Sequence, residues 1–120
     1  MNFQEFGFIL FVEKYDECVS FYRDQLQLDV RTVKDSLVIF NLPQGYLMVE
    51  QGGVSTNQEK TREQNPAVIR FNVDNLKKTV LQMEGLGVPF ANRELSFDWG
   101  TIAVFHDPDG HRLELFEVTS

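Results

Sequence analysis

A chain of 120 residues with 42% hydrophobic and 24% charged residues has the composition of one modest globular domain, or of two small halves sharing a core. Its formal net charge of −7 argues against a nucleic-acid partner, whose phosphates call for Lys and Arg, and mildly favours neutral or cationic ligands. No apolar run approaches the roughly 20 residues of a membrane span, and the start "MNFQEFGFILFVEKY" lacks a basic n-region and a cleavage site, so neither a membrane partner nor a secretory signal is expected. A single cysteine, Cys18, cannot form an internal disulfide, and a reducing cytoplasm is the expected location.

The first elements are an apolar strand ending "LFV", a polar turn and an amphipathic helix carrying Tyr15, Val19, Tyr22 and Leu26 at helical spacing, with Cys18 and Phe21 beside them. Asp16 is a candidate cap or first-turn residue. Three strands follow, "DVRTVK" (29–34), "SLVIFNL" (36–42) and "YLMVEQ" (46–51), the last two joined by a turn at Pro43-Gln44-Gly45. "GGVSTNQEKTREQNP" (52–66) is polar and reads as a solvated connecting loop.

The pattern then repeats. "AVIRFNV" (67–73) is a strand. Asn75 is positioned to cap a helix bearing Leu76, Val80, Met83 and Leu86, and Gly85 and Gly87 end it. "VPFANREL" (88–95), "GTIAVFH" (100–106) and "RLELFEV" (112–118) complete the half, with "DPDGH" (107–111) as the tight turn before the last strand. Val12 corresponds to Val73, Tyr15 to Leu76 and Val19 to Val80, an offset of about 61 residues, half the chain. The fold class expected is α+β: one domain over residues 1–120 made of two βαβββ modules, the first over about 1–52, a linker over about 53–65 and the second over about 66–120.

"VSFYRDQLQL", "VIRFNVDNLKKTV", "FDWGTIAVFHDPDGHRLEL" and the half-chain repeat together resemble the vicinal oxygen chelate superfamily, which includes glyoxalase I, extradiol dioxygenases, and fosfomycin and bleomycin resistance proteins. The likeness covers nearly the whole chain. It implies a curled mixed sheet with the helices outside and a concave cup inside. It fixes function poorly, because the superfamily hosts many activities.

Metal-dependent members place His, Gln or Glu ligands on the first and last strand of each module. The equivalent positions here are Gly7, Met48, Val68 and Glu114, with Glu50 in place of Met48 if the alignment slips by two residues. Gly and Val offer no side-chain donor, and Met is too soft for a Mg, Mn or Zn site. His106, ending a strand, and His111, in the turn, are expected at the rim or surface. No cofactor is therefore expected; a metal on Glu114 belongs only to the alternative reading.

Alternation along the strands turns Glu114 and Phe116 toward the cup, with Arg70 and Asn72, Ile9 and Phe11, and Tyr46, Met48 and Glu50. A buried carboxylate needs a partner, and Arg70 is the candidate, unless it extends to the rim and Glu114 meets solvent. Trp99 either edges the ligand cavity or is an ordinary core residue. The reading that results is a small-molecule binder similar to bleomycin resistance proteins. It holds an apolar, aromatic or cationic ligand with Glu114, Arg70, Trp99, Phe11, Met48, Glu50 and Phe116, and it forms a homodimer. The alternatives are a metal-dependent lyase, isomerase or dioxygenase of the glyoxalase type using Glu114, and a module for protein association.

Overall fold

Two four-stranded sheets of identical topology organise the chain, which a computed structural model describes over residues 1–118. In the first unit, residues 1–55, strands β1 (Phe6–Val12), β2 (Val30–Val33), β3 (Leu37–Leu42) and β4 (Gly45–Gln51) are ordered β1-β4-β3-β2. In the second unit, from residue 56 onward, β5 (Ile69–Asn72), β6 (Asn92–Phe97), β7 (Gly100–His106) and β8 (Arg112–Val118) are ordered β5-β8-β7-β6. The first and last strand of each unit run parallel and the other pairs antiparallel. The two βαβββ modules expected from the repeat are both present. No helix among the described residues is long and apolar enough to cross a membrane.

Each sheet packs one face on a helix. In the second unit α2 (Leu76–Gly85) is capped by the Asn75 side chain, which accepts from the Lys78 amide at 3.0 Å. Glu117, on β8, accepts from the Leu76 amide at 2.7 Å and ties the start of the helix to the sheet. That bond marks the helix-facing side of β8 as the side of Leu113, Leu115 and Glu117, because side chains alternate along a strand. Leu76, Val80 and Met83 are the buried face of α2. Glu114 and Phe116 therefore lie on the helix-free face, with their register partners Arg70 and Asn72 on β5 and Val104 and Ile102 on β7.

In the first unit, α1 (Tyr15–Ser20) is continued by a π-helical turn over Phe21–Gln25, where a regular helix is expected. The reason lies in two consecutive aromatics. Phe21 and Tyr22 are both buried and pack edge-on with ring centroids 5.1 Å apart. A wider turn, closed by the Leu26 amide on the Phe21 carbonyl, lets adjacent residues share the inward side. Tyr22 meets Phe40 of β3, and Leu47 and Val49 of β4 are fully buried on that same side. Asp16 lies in the first turn of α1, and no side-chain bond caps this helix.

Two expectations are corrected. β6 begins at Asn92, so residues 88–91 are not strand; Val88 is buried at the end of α2, its amide bonded to the Met83 carbonyl. The loop over 52–66 is not a freely solvated linker. Its residues from Thr56 belong to the second unit, and Lys60 is buried there.

Candidate functional site

Glu114 is the centre of the helix-free face of the second sheet. It is 5% exposed, and both of its oxygens are occupied. Arg70, directly opposite on β5, reaches Oε1 through Nε at 2.8 Å and Nη2 at 2.7 Å. Arg112, two residues earlier on the same face of β8, donates Nε to Oε2 at 2.8 Å and sends Nη1 toward Glu59 at 3.4 Å. The expected Arg70–Glu114 pair is formed, and Arg112 is a second partner that alternation along "RLE" makes legible. Burial by itself raises the Glu114 carboxyl pKa. The hydrogen bonds and charges of Arg112 and Arg70 outweigh burial and hold it below the ordinary carboxylate value.

Aromatic rings flank the guanidinium of Arg70. Its central carbon lies 5.4 Å from the Trp99 ring centroid and 5.2 Å from that of Phe116. Trp99 stacks on Phe97 at 4.8 Å with 3° between the planes and meets Phe116 at 5.8 Å. The β6–β7 hairpin explains the stack. Phe97 pairs with Gly100, which leaves Asp98 and Trp99 as the turn. Gly100 has φ +152°, and a Cβ there would overlap the Phe116 ring. Glycine is thus what lets Phe116 lie against the turn. Trp99 and Phe97 are 50% and 46% exposed, and the Arg70 side chain is 41% exposed, whereas Glu114 is covered.

The "DPDGH" turn at the end of β7 is a buried network. Asp107, fully buried, accepts from the amides of Asp109 and His111 at Oδ1, and its Oδ2 lies 2.8 Å from His111 Nδ1. His111 Nε2 lies 3.3 Å from the Lys60 ammonium. An ammonium only donates, so Nε2 accepts and Nδ1 carries the proton given to Asp107. The Thr56 and Lys60 amides bond the carbonyls of Asp109 and Gly110. Gly110 has φ +93°, and a Cβ would strike Thr56 and the Gln58 carbonyl. His111 is therefore a buried structural residue, not a surface one, because it bridges the turn to the segment of Lys60. His106 is half-buried, with Nδ1 shielded and without a hydrogen-bond partner.

The other residues expected at the site belong to the first unit. Phe11, Met48 and Glu50 share the helix-free face of its sheet, with Ile9 opposite Met48 and Phe11 opposite Glu50. Ile9 and Phe11 are exposed. Tyr46 lies over Gly7, where a Cβ would overlap its ring, and Arg31 lies 5.3 Å from the centre of that ring. Gly7 is thus a packing position under Tyr46.

These donors do not fit a divalent metal. In the register, Ile9–Met48 corresponds to Arg70–Glu114, so Met48, not Glu50, is the counterpart of Glu114. Both Glu114 oxygens face guanidiniums, and Gly7, Val68 and Met48 bring no hard donor. Among the described residues no group of three or more His, Cys, Asp or Glu side chains is arranged to hold a metal ion.

Two four-stranded mixed sheets, each with its helix in a βαβββ module, define the class of fold, and solved structures share it. A glyoxalase/bleomycin resistance protein/dioxygenase from Nocardioides superposes with TM-score 0.80 at 12% identity, over 100% of this chain and 85% of that one. The genomically encoded fosfomycin resistance protein FosX from Listeria monocytogenes gives 0.77 at 19%, over 99% and 96%. Lactoylglutathione lyase from Agrobacterium tumefaciens gives 0.72 at 18%, over 92% and 90%. At these identities the likeness concerns the fold. The sequence profile of the Glyoxalase/Bleomycin resistance protein/Dioxygenase superfamily matches residues 6–115, and the chain belongs to that superfamily. A search of curated protein sequences gives no match.

Proposed function

We propose that this protein binds a small aromatic molecule on the helix-free face of its second sheet, without a resident metal. One observation carries the reading: the stacked, half-exposed Phe97–Trp99 pair beside an Arg70 whose position is fixed by buried Glu114. Exposed aromatic faces next to a few oriented polar groups are what small-ligand sites are built from. Sequestration agrees with the state of Glu114. A general base needs a carboxyl poised near working pH, and two guanidiniums hold this one low. A glyoxalase-type reaction through a metal on Glu114 would first have to remove both arginines.

Trp99 is the only tryptophan, so its indole signals report on this face alone. Titration of the protein with a panel of bicyclic aromatic compounds is expected to shift the Trp99 indole N–H resonance saturably. Calorimetry is expected to lose the binding heat in Trp99→Ala while the fold is retained. A panel without any saturable shift would sink the reading.

A further inference from the structure

The proposed binding face carries the chemistry to select its ligand's charge, and we infer that the ligand is an aromatic acid: its ring rests on Trp99 and its carboxylate meets Arg70. This deepens the proposal above and rests on it. The whole chain is acidic, with a net charge of −7, and by itself that favours a cation. The local arrangement reverses the sign. The acid on this face, Glu114, is covered, with Oε1 bound by Arg70 and Oε2 by Arg112. It has no oxygen left to present. Of the two guanidiniums on Glu114 the more exposed is that of Arg70, 41% against 26% for Arg112, and it is held by Nε and Nη2 so that its remaining nitrogen, Nη1, is the edge available to a ligand.

The geometry also fixes where the ring goes. Trp99 and Phe97 lie parallel and half-exposed, and the Arg70 guanidinium lies 5.4 Å from the Trp99 ring centre. A planar ligand laid along Trp99 therefore brings a substituent one or two bonds from its ring within reach of a guanidinium. A carboxylate there gains charge-assisted hydrogen bonds from a donor that is already oriented. An ammonium meets a like charge. Asp98, exposed in the turn between Phe97 and Trp99, is the one nearby acid in sequence that could instead favour a cation.

The test uses the intact chain and three matched probes: 2-naphthoate, 2-naphthamide and 2-naphthylmethylamine, titrated by calorimetry with the Trp99 indole N–H as a second readout. The expected order is carboxylate, then amide, then amine, with the carboxylate about tenfold or more tighter than the amide. Arg70→Gln is expected to bring carboxylate and amide to equal affinity while amide binding persists. Equal affinities for all three in the wild-type protein would overturn the acid specificity and leave the aromatic binding reading intact. The amine binding best would overturn it in favour of Asp98, which Asp98→Asn would check. Binding of none of the three would overturn both.

Discussion

Met48 and Glu114 occupy the same place in two copies of one topology, opposite Ile9 and Arg70 respectively. The helix-facing sides of the two sheets are alike: Leu47 and Val49 in the first, Leu113 and Leu115 in the second, all buried. The helix-free sides differ. The first offers Ile9, Phe11, Tyr46, Met48 and Glu50, with no cation opposite Met48, and the second a covered carboxylate, its guanidiniums and an aromatic stack. The connections into the last strands differ too. Leu42 pairs with Gly45 across a two-residue turn, whereas residues 107–111 wrap around Asp107. The core side of a repeat is constrained by packing, which only apolar residues of suitable volume satisfy. The other side is free to diverge in chemistry, and the polar groups placed there in one copy only are the ones that packing does not explain.

The largest effect expected from breaking this difference is at the turn. Asp107 accepts two backbone amides and the His111 ring proton with no exposure to solvent. Asp107→Ala leaves all three donors without their acceptor and is expected to cost about 3 kcal/mol in urea denaturation. The amides of Thr56 and Lys60, which bond to this turn, are expected to lose hydrogen-exchange protection together. Pro43→Ala in the corresponding turn of the first unit is expected to cost well under 1 kcal/mol, because Pro43 is exposed.

Next in size is Glu114→Gln. The amide can still accept from one guanidinium but sets its NH2 against the other, and about 1–2 kcal/mol is expected at neutral pH, discounted because both arginines are partly exposed. The effect has a pH signature. The Glu114 pKa is lowered on folding from an ordinary value of 4.5, so its stabilisation is complete above that value. It is lost as pH falls below 4.5 through the folded-state pKa. The stability gap between wild type and variant should therefore be constant from pH 7 to about 5 and close at lower pH; a gap that widens on acidification would contradict the network.

Much of this was legible in the residues. The two-fold repeat, the alternation in "RLELFEV" and the Gly before "TIAVFH" give the topology, the face of Glu114 and its pairing with Arg70. What escaped depends on contacts distant in sequence or on local geometry. Lys60 reads as part of a polar loop until the turn 107–111 is seen to bond it. His111 reads as a surface turn residue because its two ring nitrogens find partners 4 and 51 residues away. The π-helical turn follows from two adjacent aromatics, which periodicity at 3.6 treats as one inward position and one sideways. Phe97 was visible two residues before Trp99, but only the Asp98–Trp99 turn brings the two rings parallel.

The smallest effect is the most direct test of the equivalence between the halves. Met48→Glu places a carboxylate where the first unit has no cation opposite, on a half-buried position, and is expected to cost about 1 kcal/mol. Ile9→Arg, at an exposed edge-strand position, is expected to be nearly neutral. Since Ile9 and Met48 are register partners as Arg70 and Glu114 are, the double variant should regain roughly half of the loss, a coupling of about 0.5 kcal/mol in a double-mutant cycle. The regained part should be smaller than the Arg70–Glu114 coupling measured the same way. At the first site Tyr46 takes the place that Arg112 holds in the second, so the carboxylate would lack its second guanidinium. Equal couplings in the two units would mean that Arg112 adds nothing to the hold on Glu114, and no coupling at all would mean that the two helix-free faces are not built on the same register.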